Sequence, residues 1–263
     1  MTSEQFLLGA VYVLAGLVGL CVGSFLNVVI YRVPLHMNLA KPASHCPNCD
    51  SLIRWYDNIP VLSYLLLRGK CRNCKAPISI RYTLVEIGNT VLWLLCVWRF
   101  WELSPWYALL CMAVSSLLLC VFFIDLEHLI VMDRFQIALG VCAALSLLCD
   151  PTPTGEWFWH LLGGAFGLLV FWGIAWAAEK LLGKEGLGGG DIKLEAVMGL
   201  FLGLPKLVLA VLISSVSASI IMLIAKRHDE NKEFPFAPFL AVGYAIAMFF
   251  GDMIITWYLS FLF

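Results

Sequence analysis

Apolar and polar positions along this chain fall into long blocks rather than a residue-by-residue alternation. Apolar runs occupy residues 6–30, 82–100, 106–124, 135–149, 157–181, 207–225 and 239–263, with a shorter one at 192–204. About 20 apolar residues in a helix cross roughly 30 Å of hydrocarbon. The blocks therefore predict membrane-spanning helices, and the lack of alternation speaks against a β-barrel. The short run covers only about 20 Å at 1.5 Å per residue, and Pro205 follows it. The first run has no Lys or Arg before it and no small-residue cleavage site, so it reads as a retained span. The expected fold class is all-α: a polytopic transmembrane helical bundle of about eight spans with a small zinc-bound cytoplasmic insert.

Composition reinforces this picture. Of 263 residues, 61% are hydrophobic and 13% charged, and the formal net charge is −1; the mean hydropathy is +0.88. Soluble domains are about 45–50% apolar and about 25% charged. A soluble globular enzyme, a disordered chain and a nucleic-acid binder relying on basic excess are excluded.

The placement of charge orients the spans. Residues 31–81 carry eight basic and two acidic residues, and positive loops stay in the cytoplasm. With eight spans, fifteen of the seventeen basic residues fall inside, leaving only Arg99 and Lys206 outside. A seven-span chain would put Lys226, Arg227 and Lys232 on the wrong side, so 192–204 is expected to cross, with both termini outside. Trp98, Trp101, Trp106, Trp157, Trp159 and Trp257 mark the outer ends as an interfacial belt. Three parts follow: 1–30, a first transmembrane helix; 31–81, the insert; and 82–263, a transmembrane core.

The insert is too small to rely on a hydrophobic core. It contains Cys46-Pro47-Asn48-Cys49 and Cys71-Arg72-Asn73-Cys74. Paired Cys-x2-Cys knuckles place four thiolates around one tetrahedral metal, a closed structural zinc site. Two disulfides or a redox pair are the rival readings, and a cytoplasmic location argues against disulfides. Cys21, Cys96, Cys111, Cys120, Cys142 and Cys149 lie singly in or near apolar spans and read as packing residues.

Ionisable groups at membrane depth are costly and default to functional candidates. Asp125 directly follows the apolar run 117–124, and Asp191 ends Gly186-Leu187-Gly188-Gly189-Gly190-Asp191. Both fall at cytoplasmic ends of spans, so they are able to meet. Two facing carboxylates cannot both ionise; the ionised one activates water and the protonated one serves as acid. Gly188, Gly189 and Gly190 would let an extended substrate backbone approach. A glycine turn followed by an Asp cap is the competing reading, as is an interfacial anion at a helix end for Asp125. Asp133 reads as a cap, and Glu127 and His128 as part of a polar turn. Glu179, Glu185 and Glu195 read as solvated faces. Asp252, Asn27 and Asn89 are expected to pair polar groups between helices.

These residues resemble the bacterial type IV prepilin peptidases, the leader peptidase/N-methyltransferases of the glycine-x-glycine-aspartate intramembrane aspartic proteases. The resemblance covers nearly the whole chain. Gly23-Ser24-Phe25-Leu26-Asn27-Val28-Val29-Ile30-Tyr31-Arg32 is similar to the family's first-span signature. Residues 46–86 resemble its cytoplasmic domain, including Trp55-Tyr56-Asp57-Asn58-Ile59-Pro60, Ser63-Tyr64 and Gly69-Lys70-Cys71-Arg72. Asp125-Leu126-Glu127-His128 and Gly188-Gly189-Gly190-Asp191-Ile192-Lys193-Leu194 resemble the two aspartate motifs, and Pro235-Phe236-Ala237-Pro238-Phe239-Leu240-Ala241 the motif before the last span. Met132-Asp133 departs from the family's usual Pro-Asp.

The resemblance implies an inner-membrane enzyme that removes the leader from type IV prepilins or type II secretion pseudopilins after Gly. It implies N-methylation of the new N-terminus with S-adenosylmethionine, Asp125 and Asp191 as the catalytic pair, and Cys46, Cys49, Cys71 and Cys74 as zinc ligands. No glycine-rich dinucleotide fingerprint marks a methyl-donor site; the polar insert is the region open to a charged, cytoplasmic donor. The expected partners are prepilin helices and the lipid bilayer, with no nucleic acid. A proton-coupled transporter, or a non-catalytic pilus or secretion assembly scaffold, is the alternative.

Overall fold

A computed structural model describes residues 3–149, 157–183, 187–226 and 234–261. Lys184, Glu185, Gly186, Arg227 and Lys232, which entered the charge count or the loop motif, lie outside the described residues. Among the described residues there are nine α-helices and one 3-10 turn, with no strand beyond two isolated bridges. The helices are α1 (Ser3–Arg32), α2 (Leu62–Leu66), α3 (Arg81–Phe100), α4 (Pro105–His128), α5 (Asp133–Cys149), α6 (Trp157–Leu182), α7 (Gly189–Leu202), α8 (Leu204–Lys226) and α9 (Ala237–Leu259). Apart from the short α2, they answer one for one to the eight apolar runs. Six of them (α1, α3, α4, α6, α8, α9) are long and apolar enough to cross a membrane. The other two, α5 and α7, are only 17 and 14 residues long.

Helix ends follow local chemistry. Ser104 caps α4, its side chain accepting the Tyr107 N–H, and Pro105 occupies the first turn, where a missing N–H costs nothing. Leu129, in the left-handed region, closes α4 by donating to the Asp125 carbonyl. The run 192–204 reads as a short span or as the start of a kinked one ahead of Pro205; α7 ends at Leu202, and its C-cap Gly203, with a φ of 78°, turns the chain directly into α8. Glycine adopts that angle without strain, so the break comes before the proline.

The chain divides into two compact units, Met1–Trp98 and Arg99–Phe263. In the first unit, α1 and α3 run antiparallel and in close contact. A Cβ on Gly23 would lie 2.7 Å from the Glu86 Cα. Asn27 donates to the Tyr82 carbonyl at 3.0 Å and Asn89 to the Gly19 carbonyl at 2.8 Å, the interhelical role expected of both. Arg32, buried at the end of α1, donates to the carbonyls of Asn38, Leu39 and Pro42 and so folds the start of the insert onto the helix. Glu86 accepts the Val61 N–H at 2.7 Å and ties α2 back to α3.

In the second unit, α6 and α7 also cross backbone to backbone. A Cβ on Gly163 would stand 2.4 Å from the Gly199 carbonyl oxygen, and one on Gly167 2.5 Å from that of Glu195. The two ends of this unit are distinct. At one, Asp125, Asp133, Gly190, Lys193 and Ala237 meet. At the other, Asp252 bridges Arg99 (3.2 Å) and Lys206 (2.9 Å), the pairing expected of it. There too Ser104 donates to the Cys149 carbonyl, and Gly203 lies beside Trp159.

Candidate active site and thiol cluster

Asp125 sits in the last turn of α4, and only 4% of it is exposed. Its Oδ2 accepts the backbone N–H of Ala237 at 3.1 Å. Ala237 is the first residue of α9, so that N–H is one of the donors a helix start leaves unpaired. A carboxylate is the natural partner for it.

Asp191 lies in the first turn of α7, half-buried and within electrostatic reach of Asp125. Its N–H closes the turn on the Gly188 carbonyl. The expected pair, 66 positions apart in the chain, is thus brought together. The three glycines do different things. A Cβ on Gly190 would meet both Val131 Cβ and the Val131 carbonyl oxygen at 3.0 Å, while Gln136 donates to the Gly190 carbonyl at 2.8 Å. Gly190 therefore seats α7 against the turn before α5. Gly189 has open space around it, and Gly188 is exposed with the Asp191 Oδ2 close by. In that turn the Met132 carbonyl accepts the Phe135 N–H, so the turn closes without a proline. Asp133 stands in the first turn of α5 and pairs with Lys193 at 2.7 Å.

Glu195 corrects one expectation. It reads as a solvated face, but it is fully buried: α6 packs backbone to backbone on α7 through Gly163, Gly164 and Gly167, and Tyr244 of α9 faces the side chain. The Ala237 donor, Gln136, Val131 and Tyr244 also went unread; each acts across a distant contact that hydropathy does not encode.

In the first unit, the Sγ atoms of Cys46, Cys49, Cys71 and Cys74 all lie within 4.8 Å of one another, with Cys46 and Cys74 at 3.8 Å. Tetrahedral zinc with bonds of about 2.3 Å places its sulfurs about 3.8 Å apart, so the set fits a metal ion. All ten cysteines are free thiols, which sets the disulfide reading aside. The two knuckles repeat each other. Cys46 donates to the Ser51 carbonyl and Cys71 to that of Ala76; Asp50 and Lys75 follow in the left-handed region. Asn48 reaches the Cys74 sulfur and Asn73 the Cys49 sulfur, each at 3.7 Å. Hydrogen bonding by the Ser51 side chain and backbone holds the Cys49 thiol down at about 6. The backbone N–H groups of Cys74 and Asn73 hold Cys71 below its ordinary value. Both are disposed to be thiolates, the form that binds metal.

Fold and site together define a helical membrane protein with a carboxylate pair at one end of its core and a four-thiol cluster in its polar insert. Comparison with known proteins agrees. Residues 17–100 match the bacterial peptidase A24 N-terminal domain, and residues 111–223 the type IV leader peptidase family. A prepilin leader peptidase/N-methyltransferase of Aeromonas salmonicida is 36% identical, covering 93% of this chain and 92% of the relative. Relatives of the same name from Stutzerimonas stutzeri and Pseudomonas aeruginosa are also 36% identical, the former across 99% of both chains. The chain belongs to the type IV leader peptidase family. No solved structure matches it.

Proposed function

We propose that this protein is a prepilin leader peptidase that cuts type IV prepilins or type II secretion pseudopilins after Gly and N-methylates the new N-terminus. The observation that carries the reading is the convergence of Asp125 and Asp191 at one end of the second unit, with Asp125 buried and held by a helix N-terminus. Two anions this close in a water-poor site repel, so the pair carries one proton between them. Asp125, already accepting an N–H at the start of α9, is the better placed of the two to be the anion. It then draws a proton from the attacking water. Asp191 supplies its proton to the scissile carbonyl and afterwards to the leaving amine. The open backbone at Gly188 and Gly189 gives an extended substrate room to lie beside Asp191.

Cys46, Cys49, Cys71 and Cys74 would hold a structural zinc ion, leaving no open position for catalysis. S-adenosylmethionine supplies the methyl group for the second reaction. The basic excess of 31–81 supports a reading in which the insert and both aspartates lie on the cytoplasmic side of the inner membrane.

The test is cleavage of a co-expressed prepilin by the full-length protein in membranes. Asp125→Asn and Asp191→Asn should each lower the rate by about 10²–10⁴-fold, the usual contribution of a general acid or base. Full activity in either variant would remove the pair from the reaction. Mass spectrometry of the pilin reports leader loss and the added methyl separately.

A further inference from the structure

Glu195 is the most deeply buried acid among the described residues, with 0% exposure. Neither of its carboxylate oxygens has a hydrogen-bond partner, and the fully buried Tyr244 hydroxyl has none either. The two side chains face each other at the margin of hydrogen-bonding range, and Asp191 lies within electrostatic reach of both. They come from two helices that build the active site. Glu195 lies one turn beyond Asp191 on α7, and Tyr244 lies on α9, whose first residue holds Asp125.

Among the described residues, no neighbouring helix supplies Glu195 with a counter-charge. On α6, glycines face it, His160 is bonded to the Leu200 carbonyl, Lys180 lies over Trp176 and Glu179 is exposed. On α5, Asp133 is paired with Lys193 of α7, and Arg134 is exposed. On α8, Lys206 is committed to Asp252. On α9, the group that faces Glu195 is Tyr244; on α4, Asp125 acts on Asp191. A carboxylate buried without a counter-ion takes up a proton instead, and an apolar side chain would fill the same space with no polar atom to satisfy.

We propose that Glu195 is a protonated acid standing behind Asp191, a positioning residue that keeps the Asp125–Asp191 pair at a single negative charge. Its proton stays on it through turnover. If that proton is lost, a second negative charge appears beside Asp191. The pair then holds its own proton more tightly, and Asp191 no longer gives it up to the scissile carbonyl and the leaving amine. Ionisation of Glu195 thus sets the alkaline limb of the cleavage profile. This inference rests on the peptidase reading.

The experiment compares wild type, Glu195→Gln and Tyr244→Phe, each as the full chain in membranes. Glu195→Gln keeps the shape and removes the ionisable proton. It should carry activity to higher pH with KM unchanged. At the pH where the wild type has fallen to half its maximum, the variant should run about two-fold faster. Tyr244→Phe removes the hydroxyl best placed to donate to an ionised Glu195, and should move the limb the same way. An unchanged alkaline limb in both variants overturns the proposal. An independent readout is the infrared difference spectrum at neutral pH, wild type minus Glu195→Gln. It should contain a protonated-carboxyl C=O band, and its absence overturns the proposal without reference to activity. If instead Asp125→Asn and Asp191→Asn cleave normally, the peptidase reading falls while the infrared band still reports on Glu195.

Discussion

A lone charge in an apolar chain is easy to see, which is why Asp125 and Asp191 were legible. Only 13% of residues are charged, so each acid beside a long apolar run stands out. What holds them in place was not legible. The Ala237 N–H reaches Asp125 from 112 positions away, and a backbone donor leaves no mark in a side-chain pattern. Gly190 looked like part of an open loop, yet Val131 occupies the space its Cβ would need. The cysteines were legible for the opposite reason: local spacing alone brings each Cys-x2-Cys pair together, and one tetrahedral site then joins the pairs. That site can be tested at a single atom. Cys46→Ser removes one of four sulfurs, leaves Cys74 without its 3.8 Å neighbour and should empty the cluster. Metal content of the purified full-length protein should fall from one ion per chain to none. Hydrogen exchange over residues 44–77 should rise, since a metal held by all four sulfurs would join the two knuckles. A wild-type protein without metal, or a variant that keeps its metal, would refute the assignment.

At the scale of elements, apolar runs located the eight long helices because a spanning helix must be apolar over most of its length. Ends and crossings were less visible. The end of α7 depends on the positive φ of Gly203, not on the more conspicuous Pro205. Which face of α7 is buried depends on α6, and periodicity is uninformative when apolar residues surround the helix. Lipid offers no hydrophobic drive for helices to associate, so close backbone contact through small residues carries much of the packing. Gly163, Gly167 and Gly199 provide it between α6 and α7. Gly163→Ala places a methyl group 2.4 Å from the Gly199 oxygen and forces the helices apart. It should cost about 1–3 kcal/mol, the usual range for overpacking, and lower the thermal unfolding midpoint in detergent. Gly173, farther along the same helix, has open space around it. Gly173→Ala should not lower the midpoint, since alanine favours a helix more than glycine does. Equal behaviour of the two variants would show that the crossing is not set by these contacts.

At the scale of the whole molecule, the two short helices decide the topology. By length alone, α5 and α7 fall short of about 20 residues. Within the second unit, however, they join the same two ends as the 24-residue α4. Helix α5 starts where Asp133 pairs with Lys193 and finishes where Ser104 reaches the Cys149 carbonyl. Helix α7 starts beside Val131 and Gln136 and finishes at Gly203 beside Trp159. Phe201, near its end, stacks on Tyr107 in the first turn of α4, with ring centroids 6.1 Å apart. A bilayer thins locally around short helices at a modest cost, whereas leaving basic loops on the outer side breaks the strongest charge rule the chain obeys. Both helices should therefore cross. A phosphatase active only outside the cytoplasm, fused after Cys149 and after Gly203, should be active. Fused after Gly183, it should be silent. An inactive fusion after Cys149 would mean that α5 turns back, and an active one after Gly183 that α6 does not return. Either result would place Asp191 away from the cytoplasmic face and leave a cytoplasmic leader peptide without access to it.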